Sequence, residues 1–113
     1  MAKPNKVNTY YKFLFENFGH AECSGCLILS KAIELYDLNK IIAITELYKE
    51  LAKEFNLTPW AVERNIRFYI GKILEEVSVA ELSNFLHYNF KTGDNTVTAK
   101  VLIPAIKCYV DNN

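Results

Sequence analysis

The sequence predicts an all-α protein, a compact bundle of about six helices. Apolar residues recur at intervals of three and four along most of the chain, which is the spacing of amphipathic helices. Strict alternation of apolar and polar residues, the pattern of a half-buried strand, never extends beyond a few positions. Half of the 113 residues are hydrophobic, so the chain can bury a core of ordinary size. We therefore expect residues 1–113 to form a single domain.

Two helices are predicted in the N-terminal third of the chain. The first covers Lys6 to Phe18, and its apolar face consists of Tyr10, Tyr11, Leu14, Phe15 and Phe18. Cys23 or Ser24 begins the second, which covers Leu27 to Tyr36 and ends near residues 37–39. No internal repeat, low-complexity tract or long linker interrupts the sequence, which agrees with a single domain.

Residues 45–72 (TELYKELAKEFNLTPWAVERNIRFYIGK) predict a third and a fourth helix joined by a tight turn. The chain turns at Asn56 and Leu57, and Thr58 before Pro59 is the pattern of an N-cap followed by the first helical residue. The apolar face of the third helix consists of Leu47, Tyr48, Leu51, Ala52 and Phe55. One face of the fourth carries Val62, Ile66, Tyr69, Ile70 and Ile73, and the opposite face carries Trp60, Arg64, Arg67, Phe68 and Gly71. This is the layout of a helix-turn-helix, whose second helix enters the DNA major groove.

A capping-box pattern predicts the fifth helix. Ser78 is followed three residues later by Glu81, and we expect the helix that begins there to continue through His87. Residues 91–95 (KTGDN) are a cluster of turn-forming residues, and we expect a turn there between the fifth helix and the last.

A last helix is expected from about Thr98 to Tyr109, with Leu102 and Ile106 as its core face. Pro104 falls inside it, where a proline removes a backbone hydrogen bond and costs about 3 kcal/mol. We therefore expect either a kink or a helix that begins only near residue 103.

The charge pattern bears on the kind of partner. The formal net charge is zero, whereas nucleic-acid-binding domains are commonly basic. Residues 73–90 contain three glutamates and no lysine or arginine. An acidic patch away from a modestly basic recognition helix is compatible with DNA binding, and it predicts a low non-specific affinity.

Targeting and membrane signals are missing from the sequence. No apolar run has the length of a membrane span, and residues 1–6 (MAKPNK) do not begin a secretion signal. Three cysteines, an odd number, do not suggest the disulfide framework of a secreted protein. We expect a cytoplasmic protein.

Arg64 and Arg67 are the leading candidates for contact with DNA. The guanidinium fork can bind guanine O6 and N7 or clamp a phosphate, and the N-terminal half of a recognition helix is where base readers lie. Glu63 could accept a hydrogen bond from cytosine or orient the arginines. The alternative is a solvated face on which Glu63 pairs with Arg67 at i,i+4. Lys49 and Lys53 of the third helix can reach phosphates or can simply belong to a charged surface.

Trp60 and Phe68 are large aromatic residues on the predicted exposed face of the fourth helix. Exposed aromatic side chains often mark a surface that binds another protein. They could equally contact thymine methyl groups. Both interpretations remain open from the sequence.

His20, Cys23 and Cys26 (HAECSGC) raise the question of a metal or redox site. A structural zinc site needs four ligands, and no fourth ligand has supporting spacing. A redox CxxC requires a βαβ neighbourhood that is absent from the sequence. We expect no metal here, and a core position for the small cysteine side chain.

The chain resembles a known family, the C-terminal effector domain of the stage-zero A sporulation transcription factor of endospore-forming bacteria. The resemblance extends over roughly residues 16–110 and is strongest in Val62-Glu63-Arg64 followed by Ile66-Arg67. The other matching positions are Gly25, Leu27, Leu29, Ala32, Ile33, Ile44-Thr45, Leu51 to Asn56, Thr58 and, more loosely, Asn84-Phe85 to Tyr88. The resemblance implies a domain of about six helices that binds DNA sequence-specifically and regulates transcription.

The resemblance also implies an assembly, and this chain departs from the family's pattern at Ala61 and Cys26. Members of the family bind as adjacent copies on repeated sites with help from the C-terminal helices, which implies a monomer that pairs with a second copy on DNA. Ala61 stands where the family has a basic, base-contacting residue, and Cys26 stands where it has an aromatic core residue. The family's regulator carries a phosphorylatable receiver domain ahead of this unit. These 113 residues contain none, so the family's control by phosphorylation cannot be carried over to them.

We therefore expect a sequence-specific regulator of transcription that binds the major groove of duplex DNA through a helix-turn-helix. The expected DNA-contacting residues are Thr58, Trp60, Ala61, Glu63, Arg64, Arg67, Phe68 and Lys72. No phosphate-cradling glycine loop, nucleophile motif or paired carboxylates are present, so we expect no enzymatic activity, cofactor or small-molecule substrate. The alternative is a protein-interaction or dimerisation module that has this fold but no longer binds DNA.

Overall fold

Six helices make up the described part of the chain. The computed structural model describes residues 6–37, 43–90 and 97–112, with side chains from residue 9 onward. The helices are α1 (Lys6–Phe18), α2 (Ser24–Leu35), α3 (Ile44–Phe55), α4 (Pro59–Glu76), α5 (Val79–Leu86) and α6 (Ala99–Asp111). Within these ranges no residue forms a strand, so the all-α prediction is confirmed. The radius of gyration is 13.4 Å, and a compact chain of this length should have about 13 Å.

Helix α2 lies at the centre of the bundle and contacts α1, α3, α4 and α6. It is buried on several sides through Gly25, Cys26, Ile28, Leu29, Ser30, Ala32 and Ile33. The hydroxyl of Ser30 donates to the carbonyl of Cys26 at 2.7 Å, so the buried polar group is satisfied within its own helix. These four helices surround α2, α5 packs against α6, and every helix contributes residues to one hydrophobic core.

The apolar face of α1 differs from the prediction. Tyr10, Leu14 and Phe18 are buried, but Phe15 is 55% exposed. Phe13 packs against the core instead, and its ring is parallel to that of Phe85 at a centroid distance of 6.1 Å. The aromatic residues available on α5 and α6 therefore decide which side of α1 is buried.

A capping box fixes the beginning of α5, as predicted. The Ser78 hydroxyl accepts from the Glu81 backbone N–H at 3.0 Å, and the Glu81 carboxylate accepts from the Ser78 N–H at 3.1 Å. This is the predicted capping box. The helix ends at Leu86, one residue before the predicted end, because His87 takes the left-handed conformation with φ 54°. The predicted turn cluster at residues 91–95 lies outside the described residues.

Helix α6 begins at Ala99 and continues through Pro104, so a start near residue 103 is wrong. A proline at this position removes the hydrogen bond to the carbonyl of Lys100. Lys100 is exposed, so water can satisfy that carbonyl, and Pro104 is only half-buried. Leu102 and Ile106 are fully buried, as predicted for the core face. The burial of this face offsets the cost of the proline.

Candidate nucleic-acid interface

The turn between α3 and α4 occupies three residues and is closed by hydrogen bonds. Asn56 adopts the left-handed conformation with φ 55°, and the N–H of Leu57 donates to the carbonyl of Ala52 at 2.9 Å. The hydroxyl of Thr58 then accepts from the N–H of Ala61 at 3.1 Å and caps α4. Two helices in contact across so short a turn are consistent with a helix-turn-helix.

A glycine allows α4 to lie directly against α2. Gly25 of α2 is buried, and a Cβ atom placed there would overlap the carbonyl of Asn65 and come within 2.8 Å of the Cβ of Tyr69. The buried face of α4 is the predicted one, formed by Val62, Ile66, Tyr69, Ile70 and Ile73. The Tyr69 hydroxyl also donates to the carbonyl of Gly19 at 3.0 Å. Close packing and this hydrogen bond fix the rotation of α4 about its axis.

The opposite face of α4 is open to solvent, as the helical wheel predicted. The Trp60 and Phe68 residues are 64% and 59% exposed. The side chains of Arg64 and Arg67 are exposed between them along the helix. The face therefore presents two arginines and two large rings, and it belongs to a helix that cannot rotate without disrupting the core.

Each charged side chain on this face has a local partner. Arg67 Nε lies 3.0 Å from Glu63 Oε1, which is the i,i+4 pair that the solvated-face interpretation requires. The guanidinium carbon of Arg64 lies 5.5 Å from the centroid of the Trp60 ring. Lys72 Nζ lies 5.3 Å from the centroid of Phe68. Such exposed contacts contribute at most about 1 kcal/mol each, so a ligand can compete with them.

Comparison with known proteins identifies the family of the chain. The family model described as Sporulation initiation factor Spo0A C terminal matches residues 12–110. The chain belongs to this family. The resemblance found in the sequence is therefore confirmed, and the family is one of DNA-binding domains that regulate transcription. No curated protein and no solved structure matches the chain.

Membership of the Spo0A C-terminal family implies that this chain is a DNA-binding effector domain. The eight residues predicted to contact DNA all lie between positions 58 and 72, along one helix and its cap. Trp60, Arg64, Arg67 and Phe68 are the most open of them along α4, whereas Ala61 and Glu63 are half-buried. Thr58 is exposed, but its hydroxyl is engaged by the cap. Their contacts with DNA stay predictions.

The lysines of α3 lie beside glutamates. Lys49 Nζ is 3.3 Å from Glu46 Oε1, and Lys53 is exposed in the last turn of the helix. Glu54 of the same helix pairs with Lys31 of α2 at 3.7 Å. The charged-surface interpretation therefore describes Lys49 well, and Lys53 is the more available of the two for a phosphate.

Next to the interface lies a groove that the sequence did not reveal. It has a volume of about 470 Å³ and lies between α3, α4 and the start of α6, with Tyr48, Arg67 and Gly71 among its lining residues. Burial and, second, the charge of Glu63 raise the pKa of Tyr48 to about 12, so this hydroxyl is neutral at physiological pH. The rest of the groove is lined by Ile44, Glu63, Ile70, Leu74 and residues 97–100, and only the tertiary arrangement brings these residues together.

The cysteine region belongs to the packing of the bundle. Cys26 is fully buried, and burial raises the pKa of its thiol. His20 lies between two carboxylates, with Nε2 3.2 Å from Glu76 and Nδ1 3.6 Å from Glu22. Among the described residues no group of three histidine, cysteine or acidic side chains is placed to hold a metal ion. In the same part of the chain, no helix is long and apolar enough to cross a bilayer.

Proposed function

We propose that this chain recognises a specific sequence of duplex DNA by placing the exposed face of α4 in the major groove, and that it regulates transcription in this way. The observation that carries the proposal is the pair of exposed arginines, Arg64 and Arg67, on a helix whose other face is buried against α2. A recognition helix needs this combination, because base reading requires side chains held at a defined angle to the groove.

The ion pair of Arg67 supports a base-reading role. The pair with Glu63 is made through Nε at 3.0 Å, and we propose that the terminal amino groups of the guanidinium contact the base. A bidentate contact to guanine O6 and N7 is worth about 1–3 kcal/mol of discrimination, more than an exposed ion pair contributes. Glu63 thus orients Arg67 without blocking it.

Arg64 is held in a different way. Its guanidinium lies over the ring of Trp60, which limits its conformations and leaves the donors at its edge free. Lys72, at the far end of the face, pairs with Glu75 at 3.9 Å, and its proposed partner on DNA is a phosphate. The role of Thr58 and Ala61 in the proposal is to bring the first turn of α4 close to the DNA backbone.

We also expect two copies to act together on DNA. A chain of zero net charge gains little from phosphate neutralisation, so one copy binds weakly. A monomer in free solution that pairs with a second copy on adjacent sites would overcome this. The proposed target places the protein in the cytoplasm, and residues 1–113 would act as one DNA-binding domain.

Selection of binding sites from random duplex DNA tests the proposal. We expect enrichment of a defined operator, and Arg67→Ala should then cost about 1–3 kcal/mol of operator affinity. Arg67→Lys keeps the charge but loses the fork and should recover little specific binding. Lys12→Ala is the control, because it removes one exposed positive charge from α1. No enriched operator, or equal affinity of wild type and Arg67→Ala, would show that the proposal is wrong.

The exposure of Trp60 and Phe68 favours a second candidate, a surface that docks a protein partner or a second copy. In that case the free protein would be a dimer through these rings. Light scattering distinguishes the two, because a dimer that dissociates on Trp60→Ala and never shifts DNA fits only the protein-interaction function.

A further inference from the structure

The exposed face of α4 carries a regular stripe in which rings and cations alternate. Trp60, Arg64, Phe68 and Lys72 follow one another at intervals of four residues, so they lie along one side of the helix. Each ring has the next cation over it, at 5.5 Å for Arg64 and 5.3 Å for Lys72. The proposed function uses the cations of this stripe and gives the rings no DNA contact of their own.

The alternation itself indicates what the rings meet. In the core of a protein interface each ring would carry a cation with it into a dry environment, and lysine in particular is depleted there. The major groove offers a suitable surface for both groups, because it presents acceptor atoms and phosphates beside the C5-methyl groups of thymine. A stripe of apolar and positive groups is therefore better matched to duplex DNA than to an apolar protein surface.

We infer that Trp60 and Phe68 contact the C5-methyl groups of two thymines in the operator and so determine part of its sequence. This inference rests on the proposed function, since it requires α4 to lie in the major groove. The two residues are eight positions apart, which is about 12 Å along the helix. At about 3.4 Å per base pair, the two thymines are separated by roughly three to four base pairs.

The chemistry of the contact is apolar burial. Trp60 and Phe68 are among the most exposed large hydrophobic residues of the described chain, so each has ring surface to cover a methyl group. A buried methyl group improves binding about four-fold. Cytosine lacks this methyl, so the contact distinguishes a T·A pair from a C·G pair in addition to the hydrogen-bonding pattern.

Deoxyuridine substitution tests the inference with the full chain. Each thymine of the selected operator is replaced in turn by deoxyuridine, which removes the methyl and keeps every hydrogen-bonding group. Binding is measured by fluorescence anisotropy of the labelled duplex. We expect two sensitive positions, roughly three to four base pairs apart along the α4 axis, each with an affinity loss of about four-fold.

Matched variants assign each methyl to its ring. Trp60→Ala should remove the sensitivity at one thymine and Phe68→Ala the sensitivity at the other, because a methyl with no ring to contact contributes nothing. Phe15→Ala is the control. Phe15 is 55% exposed on α1, close to the exposure of Phe68, and its loss should leave both positions sensitive. Circular dichroism confirms that each variant is folded.

The outcomes separate this inference from the proposed function. If no deoxyuridine position weakens binding while Arg67→Ala does, the inference is wrong and the proposed function stands. If the sensitivities persist unchanged in Trp60→Ala and Phe68→Ala, other groups contact the methyls and the inference is again wrong. Tighter binding to the separated strands than to the duplex would identify the stripe as a stacking platform and overturn it. If no duplex is enriched at all, both proposals fail.

Discussion

Adjacent residues of α4 lie in opposite surroundings. Tyr69 is fully buried, whereas its neighbour Phe68 is 59% exposed, and Ile66 is fully buried beside the exposed Arg67. The difference arises from the contact with α2 at Gly25, which fixes the side of α4 that meets the core. The buried face therefore positions the helix, and the apolar rings on the exposed face remain available for a ligand.

The largest expected difference is between the neighbours Ile66 and Arg67. Ile66→Ala removes buried methyl groups and should lower the free energy of unfolding by about 2–5 kcal/mol. Arg67→Ala should change it by less than about 0.5 kcal/mol, because the side chain is exposed. Urea unfolding followed by circular dichroism measures both. Comparable losses in the two variants would mean that the faces are not as distinct as their burial indicates.

A smaller effect is expected where α2 meets α4. Gly25→Ala places a Cβ atom against the carbonyl of Asn65, and backbone must move to admit it. We expect a loss of about 1–3 kcal/mol in unfolding free energy, as for overpacked cores. Operator affinity should also fall, because α4 shifts relative to the rest of the bundle. A variant as stable as wild type would show that the contact is looser than the geometry suggests.

Thr58 tests whether a residue at the start of α4 is structural or contacts DNA. Thr58→Ala loses the cap on Ala61 and should cost about 1 kcal/mol of stability. Thr58→Ser keeps the hydroxyl and should retain both stability and operator affinity. Thermal unfolding and anisotropy are the measurements. If Thr58→Ser is stable but binds its operator poorly, the Thr58 methyl itself contacts DNA.

The smallest effect is expected at Gly71, on the exposed side of α4. A Cβ atom there meets nothing within 4 Å, in contrast to Gly25. Gly71→Ala should therefore stabilise the protein by about 0.5–1 kcal/mol, since alanine loses less conformational entropy in a helix. Chemical denaturation measures this gain. Destabilisation would contradict it and would indicate that the open groove beside Gly71 closes in solution.

The sequence predicted the elements whose signals are local. The capping box at Ser78, the cap and proline at the start of α4, and the two faces of α4 depend on spacing within one helix, and the structure has each of them. The family string Val62 to Arg67 was also recognisable from the sequence, and the family match confirms it. The DNA contacts themselves stay predictions, because they depend on a ligand.

Other features depend on residues that are distant in the chain. Aromatic side chains occur on several sides of α1, so its helical wheel alone does not determine whether Phe13 or Phe15 packs against the core. Phe13 is half-buried because its ring packs against Phe85 and Tyr109. The sequence does not determine where α6 begins. It indicates the free-energy cost of Pro104 inside the helix, but the stabilisation from burying the core face of α6 depends on the tertiary structure. The groove beside Arg67 is formed by three helices and has no pattern in any one of them.

The position of Trp60 makes the recognition face directly observable. It is the single tryptophan of the chain, and it is already 64% exposed in the folded state. Its fluorescence emission should therefore change little when the core unfolds, and unfolding has to be followed by another signal. The same indole lies under Arg64 at the start of α4. Stacking or quenching at this ring would report a ligand on that face without any label, so one protein solution carries separate optical signals for folding and for binding.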